Sequence, residues 1–163
     1  MKITERDIDI INWIEKNKGA TIEQINKLFF TNYTTCSIRL KKLSDNKLLK
    51  VELHPVLGKK VYYKKKMPSF HGLVLNDFII KYKNNTKFTQ REFKIKNYVV
   101  DGIIVLKTDK IIIVEIDIWN STKKKKIEDI NHMMKEQNVD YEIWIVSKRN
   151  KRNKIKGINY IIL

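Results

Sequence analysis

The stretch Thr31-Asn-Tyr-Thr-Thr-Cys-Ser-Ile-Arg-Leu-Lys-Lys-Leu43 decides how the first part of the chain reads. It runs on into Asp45-Asn46-Lys47-Leu48-Leu49-Lys50 and a basic hairpin that ends in Lys64-Lys65-Lys66. Cys36, Leu40 and Leu43 recur at i, i+4 and i+7, which predicts one apolar face of a helix over residues 32–45. Tyr33, Thr34, Thr35, Ser37, Arg39, Lys41 and Lys42 project mostly elsewhere. A short helix dense in Thr, Asn, Tyr, Arg and Lys suits the major groove of double-stranded DNA. Its hydroxyls, amides and guanidinium reach base edges, and its basic end meets phosphates. Tyr33, Thr34, Thr35, Ser37 and Arg39 are therefore the candidate base readers, and Lys41 and Lys42 the candidate phosphate contacts.

Working outward, Thr4 followed by Asp7 is an N-cap pattern. Ile8, Ile11 and Ile14, with Trp13 on the flank, give an apolar stripe that predicts a first helix, stopped near Gly19. Thr21-x-x-Gln24 is a capping box opening a second helix through Ile22, Ile25 and Leu28. Downstream, residues 48–53 read as a strand, 54–58 as a turn and 59–63 as the return strand. Lys59 and Lys60 on that hairpin are placed to touch the flanking DNA backbone. Three helices and a hairpin in this order resemble the winged helix-turn-helix fold, and "RLKKLSDNKLLKVEL" is similar to the recognition-helix-to-wing segment of many bacterial regulators. The resemblance assigns residues 1–66 to a DNA-binding domain and implies a homodimer on palindromic sites.

Charge agrees with that partner. The 163 residues carry a formal charge of +16, and residues 1–68 and 69–163 are each at +8 (15 Lys/Arg against 7 Asp/Glu, then 19 against 11). A field of this sign attracts phosphate polymers. A Lys- and Ile-rich composition is also what an AT-rich genome produces. The single Cys36 excludes an intramolecular disulfide and fits a reducing compartment. No apolar run is long enough to span a bilayer, and the N-terminus lacks the apolar segment of a signal peptide. The expectation is a cytoplasmic protein with no membrane partner. No Gly-rich phosphate loop and no Cys/His spacing for zinc are present, so no small-molecule cofactor is implied.

With a joint at Met67-Pro68-Ser69, residues 69–163 read as a second domain. A helix over 69–83 is followed by a peripheral strand at 87–95. The two nearly continuous apolar runs at 98–106 and 111–118 are expected as central strands, joined by a tight hairpin. A helix over 122–138 and a strand at 141–146 complete an α-β-β-β-α-β order, to which residues 158–163 add a possible last strand. If Asp101 sits opposite Glu115 across the hairpin, alternation puts Asp101, Glu115 and Asp117 on one face. Such a cluster can bind magnesium through oxygen ligands and support phosphodiester cleavage. The favoured expectation is instead that the acids are vestigial or structural, bonded to Lys/Arg or to strand-end amides. Trp13, Trp119 and Trp144 are expected in the core.

The order and the phrase "VVDGIIVLKTDKIIIVEID" resemble the restriction-endonuclease-like fold, whose motif is Asp, a gap, then Glu-x-Lys. Asp101 and Glu115 match its acids, but Asp117 stands where the family has Lys. The lysines at 123–126 are not expected to replace it. A winged helix, a linking helix and "VDG…VEID.WNSTKKK" together resemble the replication-relaxation family of plasmids and other mobile elements. That resemblance implies an α+β protein that acts on DNA in replication or transcription control, with a catalytically degenerate nuclease-like half. The alternative it leaves is a divergent metal-dependent DNA nuclease, with Asp101 and Glu115 as ligands, Asp117 beside them and magnesium as cofactor. Two cationic runs are further candidates for phosphate contact. One opens the 122–138 helix (Lys124, Lys125) and the other joins the last two strands (Arg149, Lys151, Arg152).

Overall fold

The computed structural model describes residues 1–149 and 154–163, and the chain divides into two compact units, Met1–Lys81 and Tyr82–Leu163. The first unit holds helices α1 (Glu5–Lys16), α2 (Ile22–Phe29), α3 (Tyr33–Asp45) and α4 (Phe70–Lys81). Its three-stranded antiparallel sheet has β3 (Lys60–Tyr63) in the middle, between β1 (Ala20–Thr21) and β2 (Lys50–Leu53). β1 is absent from the sequence reading because two residues are too few to show alternation.

Local chemistry explains the boundaries. Thr4 and Asp7 form a capping box on α1, Thr21 and Gln24 one on α2, and the Asn32 side chain caps α3 through the Thr35 amide. Cys36, Leu40 and Leu43 are fully buried, as the spacing predicted, and join Ile10, Ile14, Ile25 and Tyr62 in one core. The α1 stripe is rotated from its expected place. Asp7, Ile10 and Ile14 face inward, and Ile8 is 51 % exposed.

The reason for that rotation is an ion pair. Arg39 of α3 donates from Nε to Asp7 Oδ1 at 2.7 Å, and its Nη2 bonds Asp7 Oδ2 and, at 3.0 Å, the Lys2 carbonyl. Asp7 also accepts from the Thr4 amide at 2.7 Å and the Thr4 hydroxyl at 2.8 Å. A fully buried carboxylate is tolerated only with such partners. Arg39, expected among the base readers, is thus engaged in the fold as a clamp between α1 and α3.

The division between units also corrects the joint expected at 67–69. Pro68 is buried, and its carbonyl pairs with His54 Nε2 at 3.2 Å. Its ring lies so near Gly19 that a Cβ there would stand 2.7 Å from Pro68 Cγ, at a backbone φ of +152°. The helix expected to open the second domain, α4, belongs to the first unit. Asn76 Nδ2 donates to the Gly19 carbonyl and Gln24 Nε2 to the Leu73 carbonyl, each at 2.8 Å.

The second unit is one mixed sheet in the order β4-β5-β6-β7-β8. β4 (Thr86–Ile95), β5 (Tyr98–Leu106) and β6 (Ile111–Asp117) are antiparallel, and β6, β7 (Tyr141–Ser147) and β8 (Asn159–Ile162) are parallel. The crossover between β6 and β7 is α5 (Lys124–Glu136), whose Ile127, Ile130 and Met134 pack on Val100, Ile113, Ile143 and Ile145. β6 is buried from Ile112 to Asp117, as its apolar run predicted for a central strand, and β4 is the edge. No helix among the described residues is long and apolar enough to cross a membrane.

The clamp has a pH signature. Hydrogen bonding from Arg39 holds the Asp7 carboxyl down from its ordinary 3.8 to about 2. A depressed carboxyl stabilises the fold above its unfolded pKa and loses that contribution as pH falls through the folded one. The two-unit gap corresponds to about 2 kcal/mol. Asp7→Asn is expected to lower first-unit stability by roughly that amount at pH 7, with the deficit shrinking between about pH 4 and pH 2. Urea denaturation read from Trp13, with the other two tryptophans replaced by Phe, checks both.

Candidate functional site

Two surfaces carry the residues singled out in the sequence. In the first unit, the face of α3 opposite Cys36, Leu40 and Leu43 carries Thr34, Ile38, Lys41, Lys42 and, at its end, Asp45, all exposed. Tyr33 and Thr35 are exposed at its N-terminal end, and the Thr35 hydroxyl bonds Asn32 Oδ1 at 3.3 Å. Ser37 is half-buried. Lys41 pairs with Asp45 at 2.8 Å, and Lys59 of the hairpin with Glu23 at 2.8 Å. Exposed pairs of this kind are worth little and yield readily to a phosphate. Lys60 is exposed. Ile38, 52 % exposed at the centre of the outward face, went unnoticed in the sequence because a lone apolar residue breaks no periodic pattern.

The second surface surrounds the acids of β5 and β6. The strand ladder runs to Gly102 opposite Val114, and one step further the Asp101 carboxylate accepts the Ile116 amide at 2.7 Å. Asp101 thus caps a strand-end amide, one of the roles expected for it. Glu115 and Asp117 share a face, and Thr122 ties them together. The Thr122 hydroxyl lies 3.1 Å from Glu115 Oε2 and 2.5 Å from Asp117 Oδ1, and the Thr122 amide donates to Asp117 Oδ1 at 2.9 Å.

Lys126, in the first turn of α5, ion-pairs with Glu115 Oε1 at 2.6 Å and donates to the Val99 carbonyl at 2.7 Å. This corrects the expectation that no lysine of the 123–126 run reaches the acids. The turn of α5 onto the sheet brings Lys126 back over β6, and sequence separation hides that approach. Lys124 and Lys125 are exposed, and Lys124 pairs with Glu128 at 3.4 Å. A second cation, Arg91, lies opposite Gly102 on β4. Burial lowers its pKa, while the charges of Glu92 and Asp101 raise it.

Electrostatically the site is a buried acid balanced by a cation. Burial raises the Glu115 pKa, opposed by the Lys126 hydrogen bond and reinforced by the charge of Asp101. Its capacity to hold a cation cofactor is limited. Asp101 Oδ2, Asp117 Oδ1 and both Glu115 oxygens have the partners described. Among the described residues no group of three or more His, Cys, Asp or Glu side chains is arranged to hold a metal ion.

Beyond the acids, Trp119 contradicts the expectation of a core residue: it is 67 % exposed. Trp13 packs partly buried against the first core, and Trp144 donates from Nε1 to Glu142 at 2.8 Å. Arg149 is exposed after β7. Lys151 and Arg152, candidates for phosphate contact, lie outside the described residues.

No family model matches the chain, and no curated protein matches it. Among solved structures it is similar to the "crystal structure of a repair endonuclease from Pyrococcus abyssi", at 13 % identity and a TM-score of 0.42. The match covers 65 % of this chain and 52 % of that one, so the chain spans about half the length of this neighbour. A likeness at that level carries no argument about activity.

The Lys126–Glu115 pair makes a direct prediction. Lys126→Met leaves a buried carboxylate without its cation and is expected to destabilise the second unit by about 3 kcal/mol at pH 7. Lys126→Met/Glu115→Gln is expected to recover most of that loss. A carboxyl with a raised folded pKa binds its proton more tightly folded than unfolded. The single variant's deficit should therefore shrink as pH falls toward about 4. Hydrogen-exchange protection of the β6 amides measures all three.

Proposed function

We propose that this chain is a DNA-binding protein that controls replication or transcription of a plasmid, phage or other mobile element. In this reading the first unit is a winged helix-turn-helix that engages double-stranded DNA, and the second is a restriction-endonuclease-like domain without catalytic activity. The observation that carries it is the outward face of α3: a hydroxyl, an apolar side chain and two lysines, exposed along a helix whose other face is locked into the core. Thr34 and Ile38 would read base edges, Ile38 through the thymine methyl group. Lys41 and Lys42 would hold phosphates, and Lys59 and Lys60 would follow the flanking backbone. Tyr33 and Thr35 flank the entry of the helix. A homodimer on a palindromic site is part of the proposal.

The engaged state of the acids supports a non-catalytic second unit. Lys126 beside Glu115 favours the nuclease alternative in one respect, since a cation stands where the Glu-x-Lys motif lacks one. The two readings separate cleanly. The proposal expects no nicking of supercoiled or linear DNA with magnesium or manganese. Nicking that disappears in Asp101→Asn would establish the nuclease instead.

For DNA reading, a selection of bound fragments from random DNA supplies the preferred site. Thr34→Ala is expected to weaken binding to that site more than to random duplex. Lys41→Ala/Lys42→Ala is expected to weaken both alike and to lower the slope of log K against log salt by about two. Equal losses from Thr34→Ala on every sequence would reject α3 as the reader.

A further inference from the structure

At the carboxyl ends of the parallel strands β6 and β7 the register sets Asp117 beside Ser147. Beyond these ends a cavity of about 490 Å³ opens, lined by Asp117, Trp119, Asn120, Ser147, Lys148 and Arg149. The strand ends and the loops that follow them form its rim. Its floor is fixed. Asp117 is held by Thr122, and the buried Ser147 hydroxyl donates to the Arg149 carbonyl at 2.9 Å.

The wall pairs an aromatic ring with a cation. Trp119 is 67 % exposed, and the Lys148 ammonium stands 4.2 Å from its ring centroid. A cation over an indole is attracted by the ring quadrupole and steadies the ring. With two thirds of the residue still exposed, ring surface remains for another planar group. Lys148 and Arg149 are both exposed alongside it.

We infer that this cavity binds an unpaired nucleobase of a single-stranded nucleic acid, stacked on Trp119, with Lys148 and Arg149 on the adjoining phosphates. The chemistry selects that ligand. An aromatic platform beside cations matches a base next to its phosphates, and stacking needs a free π-face. Bases inside a duplex have both faces covered, so duplex DNA would offer this cavity only its phosphates. An acidic peptide would satisfy the cations and leave the indole unused. The inference does not depend on α3 reading duplex DNA, and the two can fail separately.

The test uses the full chain and fluorescence anisotropy with labelled twelve-nucleotide oligothymidylate and oligouridylate, and a random duplex as a third arm. Trp119→Ala is expected to weaken single-strand binding about tenfold or more while duplex binding stays within about twofold. Trp119→Phe, which keeps a stacking face, is expected to retain most of the affinity. Lys148→Ala/Arg149→Ala is expected to reduce the single-strand salt slope by about 1.4. A Trp119-dependent loss on either single strand, with duplex binding retained, supports the site. Unchanged single-strand affinity in Trp119→Ala overturns the inference. Parallel loss on single strand and duplex does so as well.

Discussion

A fully buried carboxylate, Asp7, and the Arg39 guanidinium that reaches it fasten α1 to α3 in the first unit. Asp7 caps its own helix through Thr4 and binds Arg39 from α3, so one side chain fastens two helices. Arg39 lies at the border between the buried stripe and the outward face of α3. By turning back to Asp7 it sets the roll of that helix. Cys36, Leu40 and Leu43 then point into the core, and Thr34, Ile38, Lys41 and Lys42 point away. The residue type most readily associated with base reading is spent on folding. The outward face carries one hydroxyl, one branched aliphatic, two ammonium groups and, at its end, the Asp45 carboxylate.

The second unit repeats this solution. Glu115 is buried on the central strand, and its cation comes from a helix that follows it in sequence and folds back over the sheet. In both units a buried acid would be untenable alone, and a distant basic residue makes it acceptable. The arrangement has a chemical consequence. Each carboxylate among Asp101, Glu115 and Asp117 meets an amide, a hydroxyl or an ammonium from elsewhere in the unit. The open chemistry of this unit lies instead at the strand ends, where Trp119, Lys148 and Arg149 remain at the surface.

Much of the secondary structure was legible because it follows from short-range rules. The capping boxes at Thr4 and Thr21, the spacing of Cys36, Leu40 and Leu43, and the apolar runs of β5 and β6 each announce an element within a few residues. The failures share one cause. Ile8 and Ile10 are indistinguishable by type, and only the pairing of Asp7 with Arg39, far along the chain, decides which faces inward. Trp119 looks like a core residue by composition, yet it falls just past the end of β6, where no second layer covers it. The two-residue β1 has no periodicity of its own and exists because β3 offers it backbone partners.

The sequence by itself determined the element types, their order, the positive field and the presence of acids on a buried strand. These depend on local propensity, period and charge, which are written residue by residue. Only the tertiary structure decided that α4 joins the first unit, that Arg39 is a clamp, that Lys126 answers Glu115 and that Trp119 is exposed. Each of those is a contact, or the lack of one, across a long stretch of chain. Burial is what turns such a contact from negligible to decisive, and burial exists only once the layers have packed.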